Sequence, residues 1–342
     1  MLLHEGDGLG TGDRSADPRM ISYVLAFLGA LVNATGNVLN RKVAQTEPSR
    51  LQFRLRLLTD LMHKPAWLAA VGMMIISFAL AAAALGTGQL ASVQLIVTLE
   101  LPMTIIGSSW LLGTRLSRRE WVAIAVMTAG VIGILALLDP RPGPARPIAA
   151  ILWILPSAAN AGILGVFFLA AKAHSRPATR ACLLGLAAGL GYGLTAAYTK
   201  GMADEFNAGG FEAVVSSWQL YACASAGVLS TWLLENAYQA GPLTASQPGI
   251  TLVDPVISTL WGVIVFGEKV NSGIPLALTP IPLLAVAAGV LILSRSHILR
   301  ATGPATPVPG HAVPDEARFD HEVLDQAGEG PDATRRRAGG KS

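Results

Sequence analysis

From Ile21 to Ser294 the chain alternates apolar blocks with short polar connections. A helix needs about 17 to 25 apolar residues to cross about 30 Å of hydrocarbon. Nine blocks reach that length, at approximately 20–40, 66–86, 91–112, 119–138, 148–170, 181–200, 213–234, 243–266 and 274–294. Their Gly, Ala, Leu, Ile and Val content suits helices that satisfy every backbone N–H and C=O internally, since lipid offers no partner. The short alternating segments of a transmembrane β-barrel are absent. The pattern predicts an all-α polytopic membrane bundle of about nine transmembrane helices.

The polar connections predict how that bundle is oriented. Between Arg41 and Lys64 six basic residues face only Glu47 and Asp60, which by the positive-inside rule points that connection to the cytoplasm. Counting onward, the connections with Arg115, Arg118 and Arg119 and with Lys172, Arg176 and Arg180 fall on the same side, and the one with Asp204, Glu205 and Glu212 falls outside. Arg141 and Arg146 also fall outside, against the trend. Nine crossings then give a multi-pass protein of the cell membrane with its N-terminus outside and its C-terminus cytoplasmic. The run from Leu51 to Leu58 separates apolar from basic positions on a helix and suits the membrane surface.

Organisation along the chain follows from these elements. Residues 1–19 form a polar tail without the pattern of a secretory signal, and Met1 and Met20 are both candidate starts. Residues 20–147 hold four spans and the amphipathic 41–64 segment, 148–180 a linking span, 181–296 four more spans, and 297–342 a tail with the composition of a disordered segment.

Composition narrows the function. Hydrophobic residues make up 52% and charged residues 14%, where a soluble chain carries about a quarter charged residues. Mean hydropathy is +0.50. The net charge of +3 is scattered between apolar blocks, so it reads as topology and not as a nucleic-acid surface. Cys182 and Cys223 lie inside apolar stretches, and the six histidines form no ligand motif. No cofactor or resident metal site is expected, and no Walker-type loop is present to drive the protein with ATP.

An internal repeat emerges when Gln89 to Ser117 is laid over Leu243 to Asn271. Ala91 meets Ala245, Ser92 meets Ser246, Ile96 meets Ile250, Gly113 meets Gly267, and Glu100 meets Asp254. A competing register pairs Trp67 with Trp218 and Trp110 with Trp261. Four spans, one extra crossing and four more spans start the second set from the opposite side, so a repeat would be inverted, as in many secondary transporters.

Several stretches carry a family resemblance. They are Asn33-Ala-Thr-Gly-Asn-Val-Leu-Asn-Arg-Lys, Gln239-Ala-Gly-Pro-Leu-Thr-Ala-Ser-Gln-Pro, Val253-Asp-Pro-Val and Phe266-Gly-Glu-Lys. Over roughly Ile21 to Ser294 the chain resembles the drug/metabolite transporter superfamily, EamA-like group, and looks like its nine-helix branch related to NIPA-type magnesium transporters. The resemblance implies a ten-helix ancestor that lost one helix from its first half, and a small-solute substrate. The family's Gly-Glu pair matches Glu268 in the second half, whereas the first half has Gly113-Thr-Arg. Glu268 is therefore open to a structural or a transport role.

Candidate site residues are those that cost most to insert. A carboxylate near mid-membrane costs about 2.5 to 3.5 kcal/mol on insertion scales, which singles out Glu100 and Asp254. They either bind a cation or a proton beside a central cavity, or lock helices together. Asn33, Asn37 and Asn40 share one helical face, as cavity lining or as a hydrogen-bonded seam. Lys42 and Lys200 close the first and sixth spans and either snorkel to the interface or attract an anionic substrate. Gln94 adds a polar group within the third span. Gly185, Gly189 and Gly193 form a small-residue stripe for close packing or for sliding.

The expected function is a secondary transporter of a small solute, either a divalent cation such as Mg2+ or a small metabolite, and not an enzyme. The alternative is a non-transporting scaffold or lipid-binding protein, with a membrane enzyme third. Expected partners are the lipid bilayer, the small-molecule or cation substrate and, as an open option, a second copy in a homodimer. Nucleic acid is not expected.

Overall fold

The structure, a computed structural model, describes residues 17–45, 65–111, 113–144 and 148–296, apart from the side chains at 40–45, 66, 67 and 111. Most of the N-terminal tail, the amphipathic segment beyond Gln45 and the tail from 297 lie outside the described residues, as does the side chain of Lys42.

Among the described residues the chain is all-helical and has no strand. The helices are α1 (Pro18–Gln45), α2 (Pro65–Thr87), α3 (Leu90–Val97), α4 (Glu100–Leu111), α5 (Arg118–Leu138), α6 (Ala150–Ala173), α7 (Pro177–Ser216), α8 (Trp218–Ala240), α9 (Leu243–Ile264), α10 (Ile274–Leu278) and α11 (Pro280–Ser294). Seven segments among them are long and apolar enough to cross a membrane, with α3–α4 and α10–α11 each acting as one. α8 and α9 are of similar length, 23 and 22 residues, but are too polar to join that set. The chain has the helices of a multi-pass membrane protein, and its outward side chains, Ile75, Val166 and Leu284 among them, are apolar.

Local chemistry explains where helices start and stop. Ser117 and Glu120 form a reciprocal capping box that opens α5. Gly113 after α4 and Gly267 after α9 take nearly the same left-handed backbone, with φ of 63° and 65°. Only glycine enters that region without strain.

Two boundaries differ from the sequence expectation. The third span is broken at Thr98 and Leu99 into α3 and α4, because Pro102 has no N–H to donate and its ring crowds the carbonyl four residues back. The sixth span does not end at Lys200. Its helix runs on to a break at Gly209 and Gly210, so Asp204, Glu205 and Asn207 sit on helix and not in a loop. Lys200 and Asp204 pair one turn apart at 3.0 Å, which supports the extension. Residues 177–208 then span about 48 Å at helical rise, longer than the hydrocarbon they cross.

Helix packing uses small residues. The Gly185, Gly189 and Gly193 stripe lies on α9: an added Cβ would fall 2.4 Å from the Ser246 carbonyl oxygen, 2.9 Å from that of Gly249 and 2.7 Å from Ile257 Cγ2. α5 and α11 cross on reciprocal glycines, where a Cβ on Gly130 would lie 2.7 Å from Val286 Cγ2 and one on Gly289 2.7 Å from Met127 Cβ. The chain reverses so that two ends form. At one, Arg19 pairs with Asp139 at 3.3 Å and the backbones of Arg141 and Lys269 pair. At the other, Ser296 Oγ donates to Glu120 Oε1.

These contacts set a test of the packing. Gly185→Ala and Gly289→Ala force backbones apart and are expected to destabilise the fold by about 1 to 3 kcal/mol each, read as earlier thermal unfolding in detergent. Gly162→Ala, whose Cβ meets nothing within 4 Å, is expected to be neutral or stabilising through helix propensity.

Candidate functional site

The break between α3 and α4 makes Glu100 the first residue of α4, where exposed N–H groups and the helix dipole favour a carboxylate. Asn37 on α1 donates Nδ2–H to Glu100 Oε1 at 2.8 Å. Asp254 lies within α9, one residue before Pro255, and accepts from the hydroxyl of Ser258 one turn on at 3.1 Å. The charge of Glu100 acts on Asp254, so the two acids share one region.

Further groups converge there. Tyr192 on α7 and Thr231 on α8 share a hydrogen bond at 3.3 Å, and the Tyr192 hydroxyl feels Asp254, Glu235 and Glu100. Along α9, Gln247 donates to Thr251 Oγ1 at 3.5 Å and accepts from Tyr238 at 3.4 Å. Residues 247, 251, 254 and 258 recur on one helical face, which gives α9 a polar stripe running through Asp254. The arrangement offers two carboxylates with amide and hydroxyl groups from α1, α4, α7, α8 and α9.

Such a donor set suits a cation that keeps part of its water. Mg2+ dehydrates reluctantly and is usually held by one or two carboxylates plus water. Among the described residues no three His, Cys, Asp or Glu side chains converge as a metal cage.

The other expected site residues are distributed unevenly. Asn33, half-buried, lies one turn before Asn37 on the same face of α1, and Gln94 is buried on α3. Lys200 is elsewhere: its Nζ donates to the Leu85 carbonyl at 2.9 Å and to Asp204 at 3.0 Å, at the end of the bundle near Phe266. It joins neither Glu100 nor Asp254. Tyr192, Thr231 and Ser258 were not singled out from sequence. Ser258 alone had a signal, its spacing of four from Asp254.

Glu268 has a defined structural partner. The first amides of α3 receive no side-chain cap from Gln89. Instead Glu268, which follows α9, accepts from Leu90 N–H at 2.5 Å and Ala91 N–H at 3.1 Å. Gly262 makes room, since a Cβ there would lie 2.4 Å from Glu268 Oε2. Burial pushes the Glu268 carboxyl above the ordinary glutamate value, opposed by the Ala91 and Leu90 amides and by Lys200. At the same end Asp139 is held below the ordinary aspartate value, chiefly by its hydrogen bond with Arg141.

Comparisons with known proteins add one relative. A protein of Corynebacterium glutamicum described as uncharacterized is 27% identical over 253 residues, 73% of this chain and 86% of the relative. No family model and no solved structure matches the chain.

Removing the Glu268 cap has a signed outcome. Glu268→Ala leaves two buried amides without acceptors and is expected to cost about 1 to 3 kcal/mol, seen as a lower unfolding temperature. A carboxyl whose folded pKa is raised contributes its stability in full below the ordinary value of 4.5 and loses it as pH rises through the folded value. Wild-type protein is therefore expected to lose stability over that rise relative to Glu268→Gln, which cannot ionise.

Proposed function

We propose that the chain is a secondary membrane transporter, not an enzyme, in which two inverted repeats rock about a midplane site and expose Glu100 and Asp254 alternately to each side. The observation that carries this reading is that these two acids, one from each half, lie within electrostatic reach of each other beside hydrogen-bonding groups from α1, α7, α8 and α9. Charged side chains within a bilayer face protein or water and mark ion or substrate paths.

Paired positions support the repeat in the register that matches Glu100 to Asp254. Ser92 and Ser246 are both fully buried, and Gly113 and Gly267 share one left-handed backbone conformation. The competing register equates Trp110, 87% exposed, with Trp261, 4% exposed. The contacts of α3 with α9 and of α5 with α11 join like elements of the two halves, as a two-fold relation requires. Under this reading α8 and α9 also cross the membrane, which makes nine crossings in a 4+1+4 order of the drug/metabolite transporter, EamA-like kind. α9 crosses despite its polarity because the groups of its polar stripe hydrogen-bond within the protein.

Charge supports the orientation. Arg115, Arg118, Arg119, Lys172, Arg176 and Arg180 lie at one end of the bundle, and at the other Asp17, Asp139, Asp204, Glu205 and Glu212 accompany Arg19, Arg141, Lys200 and Lys269. The positive-inside rule makes the basic end cytoplasmic, with the N-terminus outside and the C-terminus inside.

The favoured substrate is a hydrated divalent cation such as Mg2+, drawn by two carboxylates. A small polar metabolite is the second reading, favoured by the Asn37 amide and the Tyr192 and Thr231 hydroxyls at the same place.

Flux into vesicles reconstituted with the full chain, under imposed Mg2+ and pH gradients, tests the proposal. Glu100→Gln and Asp254→Asn are each expected to cut flux at least tenfold, equivalent to about 1.4 kcal/mol, at unchanged abundance in the vesicles. Full flux in both variants would overturn the role of the carboxylates.

A further inference from the structure

A second recognition site lies away from the paired acids. The first turns of α6 and α8 and the far end of α7 line an open cavity of about 1120 Å³, room for a drug-sized molecule. Its wall is aromatic: Trp153 meets Trp218 edge-on at 5.1 Å, and Tyr198 meets Trp218 at 5.7 Å. Gly201 allows this, because a Cβ there would lie 2.9 Å from the Trp153 ring and 3.2 Å from Gln219 Cγ. Ser157 Oγ and the Tyr198 hydroxyl, 2.8 Å apart, complete one side.

Two acids project from α7 into this wall, and they differ. Asp204 is neutralised by Lys200 at 3.0 Å. Glu205 receives only the amide of Gln219, whose Nε2 donates to Oε1 at 3.3 Å, and among the described residues no cation pairs with it. Gln219 is itself 6% exposed, and its Oε1 is buried without a donor. Aromatic faces attract cations, and a half-buried carboxylate with no cation paired to it attracts them further.

We propose that this cavity binds a small organic ammonium ion with an apolar body, its N–H groups directed to Glu205 and its body against Trp153, Tyr198 and Trp218. The chemistry selects against the neutral and anionic counterparts of such a molecule. The site is separate from the Glu100 and Asp254 region, and it stands whether or not those acids carry transport.

The test is a titration of the full chain in nanodiscs with phenethylammonium chloride, followed by tryptophan fluorescence and by calorimetry, with empty nanodiscs as the reference for partition into lipid. Saturable quenching is expected, with 2-phenylethanol and phenylacetate binding at least tenfold more weakly to the wild-type protein. Glu205→Gln is expected to weaken phenethylammonium at least tenfold while keeping the wild-type unfolding temperature, and Trp218→Ala to weaken all three probes. The double variant Glu100→Gln, Asp254→Asn is expected to bind phenethylammonium as wild-type does. Equal affinity for phenethylammonium and 2-phenylethanol, no saturable binding beyond empty nanodiscs, or loss of binding in the double variant would each overturn the proposal.

Discussion

Helices in lipid gain nothing from burying one apolar surface against another, because the tails around them are as apolar as the side chains they touch. Association must come from dispersion at close range, and close range requires small residues at the contact. Gly185, Gly189 and Gly193 meet that requirement on α7, and Ser246 and Gly249 answer them on α9. The contact sets the height of α9 against α7 and therefore the position of Asp254, whose own carbonyl lies beside Gly193. Gly130 and Gly289 do the same for α5 and α11.

The same absence of water explains Glu268. The first amides of a helix lack intrahelical acceptors, and in a bundle interior only another part of the protein can supply them. A carboxylate from the segment after α9 meets the first amides of α3, so one interaction satisfies the helix start, uses the helix dipole and ties two distant parts of the chain together. Its cost is the burial of an acid, visible in the raised titration of its carboxyl.

Polar groups in the bundle are consequently gathered and not scattered. Glu100 finds Asn37, Asp254 finds Ser258, and Lys200 finds Asp204 and the Leu85 carbonyl. Among the described residues, single atoms on Gln89, Ser108, Asn160 and Gln219 are buried without a partner, although the Gln219 amide reaches Glu205.

Much of the architecture was legible in order along the chain. Hydropathy is a local property, so the all-helical class, the approximate limits of the apolar segments and the polar connections could be read without contacts. Glu100 and Asp254 stood out because mid-membrane acids are costly wherever they point, and the glycine stripe stood out because its spacing of four marks one helical face. Other features depend on which helices meet, which periodicity does not encode. Tyr192 and Thr231 are ordinary helix residues until α7 and α8 bring them together, and the partners of Glu268 on α3 and of Lys200 at the Leu85 carbonyl come from distant parts of the chain. The extension of α7 to Gly209 was hidden for a related reason: the charge of Asp204 and Glu205 resembles a loop, and the contacts that hold that stretch, Gln219 with Glu205 and Asn207 with the Gly86 carbonyl, come from other helices. Sequence alone determined which segments are apolar enough for lipid and which residues are costly there, because transfer cost belongs to each side chain by itself. Tertiary structure decided which of those residues share a site, because hydrogen bonds and charge interactions act over a few ångströms between segments that are far apart in the chain.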